Sequence, residues 1–483
     1  MPQIRLYNTL TRKKQALKPI NDKQIKLYTC GQTVYYYTHI GNLRTYFFED
    51  VLRKTLEYVG YTVKHVMNIT DVGHLTSDQD EGEDKLEKGA KREGKTVWEI
   101  AEHYTQDFLE NLDAMKIKRA DIVCKATEHI PEMIALIQRL EKKGFTYATP
   151  TGIYFDVTRF KNYGILTGQK LHEKKKGVRG EVVVDSTKKH PADFRLWQLS
   201  QPNHAMQWDS PWGRGYPGWH IECSAMAMKY LGEELDIHCG GMDHIPVHHT
   251  NEIAQSEGAT GKRFSKLWLH GAFMLIEGER MGKSKNNFYR LTDLQVKGYS
   301  PLDYRMALLQ AHYRSQYNFT WKGLEDAKST RQRLNVLIQR LKEQTGKENP
   351  AIPGLIQKTR STINKHLAND LNTPYALSEL IAFTRKTNTY IEKGKIGREN
   401  AENILSFLHK LDRVFGVMDF ESKTFKIPKE VSELVQKREQ SRRDKKWAEA
   451  DALRKQIHEK GWGVQDTPLG PKVKPAKEQS SSF

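Results

Sequence analysis

Strand-like and helix-like spacings of apolar residues alternate from residue 25 to residue 69. The runs IKLYT (25–29) and YTVKHVMNI (61–69) are typical of strands. The segment between them has helical spacing, and Gly60 stands where a helix is expected to end. Its apolar positions are Leu43, Phe47, Val51, Leu52, Leu56 and Val59. A crossover helix implies parallel strands, so the loop CGQTVYYYTHIGN (30–42) is expected at the carboxyl edge of a sheet, where open α/β folds bind ligands.

A second strand–helix–strand pattern follows much later in the chain. LDIHCGG (235–241) and KLWLHGAFML (266–275) predict strands, and PVHHTNEIAQSEG (246–258) predicts a helix. Between about 121 and 205, the short segments IYFDV, EVVVD and DFRLW predict β-structure separated by basic loops. This middle region is interpreted as an insertion that splits one α/β domain into two halves.

From about residue 325 onward, the apolar spacing is helical. Two stripes comprise Leu334, Leu337, Ile338 and Leu341, and Ala376, Leu377, Leu380 and Ile381. The basic C-terminal segment predicts two more helices that turn near residues 443–446, followed by a disordered tail.

Composition narrows the class of protein. A chain of 483 residues is too long for one ordinary core, so about two to four domains are expected. The chain has no apolar run long enough for a transmembrane helix, so none is expected. The residues near its start lack the apolar core of a secretory signal, so secretion is not expected. Four cysteines indicate a reducing cytoplasm rather than a disulfide scaffold. The net charge of +18 indicates either a polyanionic partner or simply a soluble basic surface.

The stretch HCGGMDHIPVHHTNEIAQ (238–255) is rich in groups that bind metals. His248 and Glu252 are four residues apart, so on a helix both side chains leave the same face and could share one ion. An exposed His–Glu pair without a metal is the commoner reason for this spacing. His244 and His249 are expected to face solvent or to make local hydrogen bonds.

Two cysteines could complete such a site. Cys30 ends the first strand and Cys223 lies in GWHIECSAM, so two thiolates, an imidazole and a carboxylate would make a tetrahedral zinc set. The four residues spread over more than 200 positions, and only the fold can bring them together. The alternative is that both cysteines are simply buried and free.

Two further segments are candidates for binding phosphate. THIGN (38–42) combines a histidine, a glycine and the free N–H groups of a helix start. ERMGKSKNN (279–287) is a basic loop in which Lys283 could reach a polyphosphate, although such a segment alone is more often a solvated loop. The patterns of a dinucleotide fold and of a P-loop are both absent from the sequence.

Taken together, these motifs resemble a known family. THIGN resembles the HIGH motif of class I aminoacyl-tRNA synthetases, and RMGKS (280–284) resembles their KMSKS motif. The match to the cysteinyl-tRNA synthetase family runs in the expected order from about residue 5 to residue 470. Its segments are CGQTVYYYTHIGN, NITDVGHL, GWHIECSAM, HHTNEIAQ, HYRSQYNF and NDLNTP (369–374).

The resemblance implies an enzyme that uses ATP with Mg²⁺ to convert L-cysteine to cysteinyl-adenylate and then passes the cysteinyl group to its cognate tRNA. It also implies one catalytic zinc ion that binds the substrate thiol and so selects cysteine without an editing domain. The implied zinc ligands are Cys30, Cys223, His248 and Glu252, and the implied cysteine-binding residues are Gly31, Thr70 and Trp219.

By the same resemblance, the ATP site comprises His39, Gly41, Asn42, Gly241, Asp243, Met281, Lys283 and Ser284. Of these, His39, Asn42 and Lys283 are implied to be catalytic, because they would align the phosphates and stabilise the departing pyrophosphate. Gln32, Arg280 and Gly282 depart from the family pattern, which weakens individual assignments in the ATP pocket more than the resemblance itself.

The expected fold class is α/β, with a split Rossmann-like parallel-sheet catalytic domain, a mixed α/β insertion, a helical bundle and a small C-terminal domain. The expected bounds are 1–120 and 206–300 for the catalytic halves, 121–205 for the insertion, 301–325 for a stem-contact linker, 326–420 for a tRNA-binding bundle and 421–483 for an anticodon-recognition region. Transfer RNA would then be the polyanionic partner, with Arg442, Arg443 and Trp447 as candidate contacts. A cytoplasmic monomer without a membrane partner is expected.

Two other functions share some of these features. A ligase that passes activated cysteine to an amino-sugar would share the zinc and both motifs, but it would lack the C-terminal tRNA-binding half. A non-catalytic, zinc-stabilised RNA-binding protein is the alternative from another class. The presence of His39 and Lys283 favours an enzyme.

Overall fold

The apolar runs and stripes form strands and helices in the computed structural model, which describes residues 3–73, 85–169, 187–199, 204–282, 285, 287–421, 427–467 and 470–476. The strands are β1 (Arg5–Asn8), β2 (Lys13–Ala16), β3 (Gln24–Thr29), β4 (Thr62–Ile69), β5 (Ile122–Lys125), β6 (Thr146–Thr149), β7 (Gly152–Phe155), β8 (Phe194–Leu199), β9 (Gly215–Pro217), β10 (Leu235–Gly241), β11 (Ser265–Gly271), β12 (Met274–Ile276), β13 (Glu279–Arg280), β14 (Tyr317–Phe319), β15 (Trp462–Thr467) and β16 (Gly470–Pro475). The helices are α1 (Ile40–Tyr58), α2 (Lys85–Glu93), α3 (Val97–Ala114), α4 (Ile130–Lys142), α5 (Trp219–Leu231), α6 (His248–Thr260), α7 (Leu291–Val296), α8 (Pro301–Leu309), α9 (Trp321–Lys342), α10 (Ala351–Ala368), α11 (Thr373–Glu392), α12 (Arg398–Phe415), α13 (Lys429–Arg443) and α14 (Trp447–Glu459).

A five-stranded parallel sheet in the order β11-β10-β3-β4-β5 lies at the centre of the fold. The strands β3 and β4 come from the first predicted half, β10 and β11 from the second, and β5 from the start of the region predicted as the insertion. The pairing of β3 with β10 joins the two halves. The predicted split α/β domain is therefore confirmed. Because all five strands run the same way, the loops after β3 and β10 leave from one edge at the point where the strand order reverses, which is where such sheets bind ligands.

The predicted crossover helix is α1, which packs against β4, β10 and β11. Its apolar residues Leu43, Phe47 and Val51 are buried. The helix ends at Tyr58 with Val59 as its C-cap, and Gly60 follows with a φ of +102°, a conformation that favours glycine. The helix therefore begins and ends where the local sequence predicts.

The helix α6 is buried on nearly every side, although much of its sequence is polar. It packs against α4 and α5, and it follows β10 at the ligand-binding edge. Buried polar side chains need hydrogen-bond partners or a bound ion. A polar helix in the interior therefore marks a site rather than a solvated surface.

The middle region contains a four-stranded antiparallel sheet in the order β6-β7-β8-β9. EVVVD lies outside the described residues. The strand β5 falls within the region predicted as the insertion, yet it pairs with β4 in the parallel sheet. The predicted domain bounds stay a prediction.

The strand predicted over residues 266–275 is two strands, β11 and β12. The break lies at Ala272 and Phe273, whose carbonyl oxygens accept hydrogen bonds from Arg44 Nη1 at 2.6 and 2.5 Å. The run is apolar throughout and therefore predicts one strand, because the contact with Arg44 involves a residue far away in the sequence.

The C-terminal half is helical, as predicted. The two predicted apolar stripes lie on α9 and α11, and all but the partly buried Ile381 are fully buried. The helices α13 and α14 meet at residues 444–446 and pack with the β15–β16 hairpin, which no pattern in the sequence predicted. Among the described helices, none combines the length and the apolar character needed to cross a bilayer.

Candidate active site and metal centre

Four residues from distant parts of the chain meet at the carboxyl edge of the parallel sheet. Cys30 directly follows β3, Cys223 lies on α5, and His248 and Glu252 lie one turn apart on α6. All four residues are buried, and one ligand atom of each lies within 4.8 Å of the others. We call these four residues the donor cluster.

The distances within the donor cluster fit a small tetrahedral ion. The sulfurs of Cys30 and Cys223 are 3.9 Å apart. His248 Nε2 lies 3.3 Å from Cys223 Sγ and 3.0 Å from Glu252 Oε1, and Cys30 Sγ lies 3.8 Å from the same oxygen. A tetrahedral zinc site with bonds of ~2.0–2.3 Å has ligand–ligand edges of about 3.3–3.8 Å. The cluster could therefore hold one zinc ion with only small side-chain movements.

The electrostatics of the cluster also favour a cation. Burial raises the pKa of Cys223, but hydrogen bonding with Cys30 and the charge of His248 outweigh it and bring that pKa to about 7. Burial lowers the pKa of His248, but the adjacent Cys223 and Glu252 raise it to about 10. The pKa of Glu252 is lowered despite its burial, chiefly by His238 and His248. Negative charge on Cys223 and Glu252 is thus stabilised by the neighbouring imidazoles inside the protein, and such an environment suits a divalent cation.

Further histidines surround the donor cluster. His238 Nε2 lies 2.9 Å from the outer carboxylate oxygen of Glu252. His249 Nε2 lies 3.2 Å from Cys30 Sγ, and its Nδ1 lies 2.7 Å from His270 Nε2. His249 was expected to face solvent or to make local hydrogen bonds; it is fully buried instead, and these two partners are distant in the sequence. Cys30, His238, His249 and Glu252 form a second possible set of metal ligands that shares two members with the first, so the two sets outline one pocket.

Two of the predicted cysteine-binding residues are joined to the donor cluster through Asn68. Gly31 N donates to Asn68 Oδ1 at 3.0 Å. Thr70 Oγ1 accepts from Asn68 Nδ2 at 3.1 Å and donates to Glu222 Oε2 at 3.0 Å. Asn68 Oδ1 also lies 3.6 Å from Cys223 Sγ. The prediction missed this central role of Asn68, although the residue stands in the NITDVGHL segment that carried the family resemblance.

The third predicted cysteine-binding residue, Trp219, begins α5, and its ring centroid lies 4.2 Å from that of His248. His244, which is partly exposed, has its ring centroid 6.0 Å from that of Trp219. The indole therefore covers the imidazole of the donor cluster, where it can shape a pocket for a small substrate.

The loop that starts at Cys30 ends in the predicted phosphate-binding turn. His39 is the N-cap of α1: its Nδ1 accepts from Asn42 N at 3.1 Å, and Asn42 Oδ1 accepts from His39 N at 3.3 Å. A Cβ atom at Gly41 would lie 3.0 Å from the His39 ring and 3.4 Å from the Met281 methyl group. The glycine therefore permits close packing at the positive end of α1, where an anion is favoured.

Two further predicted ATP residues, Gly241 and Asp243, lie at the end of β10, in the other half of the sheet. Gly241 ends β10, and a Cβ atom there would lie 2.2 Å from Oδ1 of the exposed Asp243. The methyl group of Met281 lies beside Gly41, at the start of α1. Lys283 and Ser284 lie outside the described residues, so their predicted contacts with ATP stay a prediction.

Three family models match this chain. Residues 16–329 match the tRNA synthetases class I (C) catalytic domain. Residues 363–419 match the DALR domain, and residues 425–470 match the cysteinyl-tRNA ligase anticodon binding domain. The first match alone covers well over half of the chain.

Curated relatives agree along nearly the full length. A cysteine–tRNA ligase of Treponema denticola is 44% identical, with 95% of this chain and 97% of the relative covered. A cysteine–tRNA ligase of Protochlamydia amoebophila is 41% identical, with 98% of each covered. Solved structures share the fold: Mycobacterium tuberculosis methionyl-tRNA synthetase with methionyl-adenylate has a TM-score of 0.58 at 14% identity, with 81% of this chain and 89% of that chain covered. A leucyl synthetase ternary complex with tRNA from Agrobacterium radiobacter has a TM-score of 0.61 at 10% identity, with 83% and 85% covered.

Proposed function

The chain belongs to the cysteine–tRNA ligase family of class I tRNA synthetases, and from this premise we propose that it ligates L-cysteine to its cognate tRNA through a cysteinyl-adenylate. It is an enzyme of that class, and the family joins an amino acid to tRNA with ATP. One observation carries the choice of substrate: the buried donor cluster lies at the start of the loop that ends in the phosphate-binding turn. A thiol-binding group and an anion-binding helix start therefore share one short loop.

We propose zinc as the ion of the donor cluster, held by Cys30, Cys223, His248 and Glu252. When bound, zinc supplies a soft centre that accepts the thiolate of cysteine far better than the hydroxyl of serine. His238 would hold the outer oxygen of Glu252 and so orient the carboxylate toward the ion. A hydrophobic pocket alone separates near-isosteres by only about 10- to 200-fold, so this selection at the sulfur removes the need for editing.

Adenylate formation would take place beside the start of α1. The cysteine carboxylate attacks the α-phosphate of Mg²⁺-bound ATP, the bond to the β-phosphate breaks, and pyrophosphate leaves. His39, Asn42 and the first N–H groups of α1 would align the phosphates, and Lys283 would stabilise the leaving pyrophosphate. Gly241 and Asp243 would receive the adenosine. A terminal ribose hydroxyl of tRNA then attacks the carbonyl carbon, and AMP leaves.

The C-terminal half would bind the tRNA. We propose that residues 326–420 contact the tRNA body and that residues 421–483 read the anticodon. Trp447 is 58% exposed, and the Arg442 guanidinium lies 5.9 Å from its ring centroid, an arrangement that suits stacking on an unpaired base. Arg443 is exposed beside them. The net charge of +18 would favour the polyanion, and we propose a cytoplasmic monomer.

Of the two competing functions, the cysteine ligase that acts on an amino-sugar is the closer. The match of residues 425–470 to an anticodon-binding domain favours tRNA as the acceptor. The non-catalytic alternative loses its support because the chain belongs to an enzyme family.

The direct test is charging of total tRNA by the purified protein with ATP and labelled cysteine or labelled serine. Charging with cysteine alone is expected. Cysteine-dependent exchange of pyrophosphate into ATP without any charging would instead indicate the amino-sugar ligase. Failure of both reactions in a folded, zinc-loaded preparation would refute the proposed function.

A further inference from the structure

The turn between α10 and α11 has an unusual backbone. Asp370 and Leu371 have φ values of +64° and +52°. Two consecutive residues other than glycine in the left-handed region are unfavourable, so such a turn persists only where its surroundings hold it in place. Asp370 is completely buried, and Leu371 belongs to the same apolar cluster as Phe48 of α1 and Leu269 of β11. The turn is therefore packed into the catalytic domain.

The Asp370 carboxylate is the centre of a dense hydrogen-bond network. Its Oδ1 accepts from Tyr7 N at 2.9 Å and from Tyr313 Oη at 2.7 Å. Its Oδ2 accepts from Arg314 Nε at 2.8 Å and lies 2.6 Å from Arg314 Nη2. Asp370 N donates to Arg5 O at 2.8 Å. One side chain of the helical region thus binds both β1 and the segment HYRSQYNF (312–319).

That segment in turn supports the two elements that carry the ATP motifs. The Tyr313 ring stacks on Phe48 of α1 with centroids 5.1 Å apart, and Arg44 in the first turns of α1 donates to His312 O at 3.4 Å. The strand β14 at the end of the segment pairs with β12, which pairs with β13 at the entrance to the RMGKS loop. These contacts hold the segment in the catalytic domain without Asp370, so loss of the Asp370 contacts loosens the helical region against a segment that stays in place.

We propose that Asp370 is a positioning residue that holds the helical region in register with the catalytic domain, so that a bound tRNA places its terminal ribose against the adenylate. The proposal rests on the proposed function and names no new group at the reacting atoms. Its signature is selective: transfer to tRNA depends on the register between the two regions, whereas adenylate formation needs the catalytic domain alone.

The test compares two activities of the full-length Asp370→Asn variant, which keeps the side-chain shape and removes the charge that faces Arg314. We expect cysteine-dependent pyrophosphate exchange without tRNA to stay within about threefold of the wild type. We expect kcat for tRNA charging to fall about tenfold or more with little change in the KM for tRNA, because misplacement of reacting groups by ~1 Å costs up to about 100-fold. Tyr313→Phe removes one donor and keeps the stacked ring, so it provides the same test with a smaller loss if Asp370→Asn does not fold.

Asp303→Asn is the matched control. Asp303 is 2% exposed and accepts from Arg331 Nε at 2.7 Å, but this pair joins α8 to α9 and not to the turn at Asp370. The control is expected to lose thermal stability without changing the ratio of charging to exchange. An unchanged ratio in Asp370→Asn and Tyr313→Phe, or a parallel loss of both activities, overturns the positioning role. Absence of both activities in the wild type overturns the proposed function, and with it this inference.

Discussion

Replacing Gly31 with alanine should disable cysteine activation while leaving the fold in place. A Cβ atom at this position would lie 1.7 Å from Asn68 O, whereas real Cβ atoms essentially never approach closer than 3.0 Å. One of the two backbone segments must therefore move by about 1.3 Å. This movement disrupts the hydrogen bond between Gly31 N and Asn68 Oδ1. It also displaces the side-chain amide of Asn68, which contacts Thr70 and Cys223.

The size of this movement sets the expected loss. Misplacement by ~1 Å in an active site can cost about 100-fold in rate, so kcat/KM for cysteine activation should fall by about that factor. Inserting a methyl group into a tight interior costs about 1–3 kcal/mol, which lowers the melting temperature by a few degrees without unfolding a chain of this size.

The assay is cysteine-dependent pyrophosphate exchange, with the melting temperature measured in parallel. Gly354→Ala is the control, because nothing lies within 4 Å of a Cβ atom there and the residue is in the interior of α10. Alanine should be neutral or stabilising at that helical position, by up to about 1 kcal/mol. If Gly31→Ala keeps exchange within about threefold of the wild type, then Gly31 does not hold the pocket as described.

Three further changes probe the metal, the fold and the tRNA contact. Cys223→Ser should lower both the zinc content, measured by elemental analysis, and the rate of cysteine-dependent pyrophosphate exchange. The loss should exceed the roughly 10–100-fold fall in metal affinity or activity that follows removal of a ligand's hydrogen-bond partner. Survival of both zinc binding and exchange would make the zinc assignment wrong. Burial and the neighbouring Arg53 charge lower the pKa of His65 from 6.5 to about 3. Below pH 6.5 His65 is therefore protonated in the unfolded chain but neutral in the folded chain. The free energy of unfolding should fall as the pH drops below about 6.5, and His65 should account for about 2 kcal/mol of that fall at pH 5. Denaturant titrations of the wild type and His65→Asn at pH 8 and pH 5 measure this, and an equal pH dependence in both would contradict it. Trp447→Ala should lower kcat/KM for tRNA about tenfold or more through lost stacking and leave pyrophosphate exchange unchanged; unchanged charging would exclude Trp447 from the tRNA contact.

Much of the fold is predictable because its causes are local. The apolar runs of β3 and β4, the stripe on α1 and the positive φ of Gly60 depend on residues a few positions apart. Predictions failed where the cause was distant. The run 266–275 forms two strands because Arg44 donates hydrogen bonds to the carbonyl oxygens of Ala272 and Phe273. No pattern within the run indicates these hydrogen bonds.

The candidate site divides in the same way. The spacing of His248 and Glu252 alone places both side chains on one helical face, and the THIGN segment alone indicates a capped helix start. The sequence therefore determined by itself the strands, the helices and one half of the donor cluster, since helical and strand periodicity act over a few residues.

Only the tertiary structure brought Cys30 to Cys223, which are 193 positions apart, because their meeting requires β3 to pair with β10 across the insertion. The packing of α6 against α4 and α5 likewise buries His249, which was expected to face solvent or to make local hydrogen bonds, and places it beside Cys30. It was likewise the packing of the α10–α11 turn against β1 and the segment 312–319 that placed Asp370 at the junction. Strand order and the docking of distant segments depend on the sum of many weak contacts between remote residues, and no local pattern contains that sum.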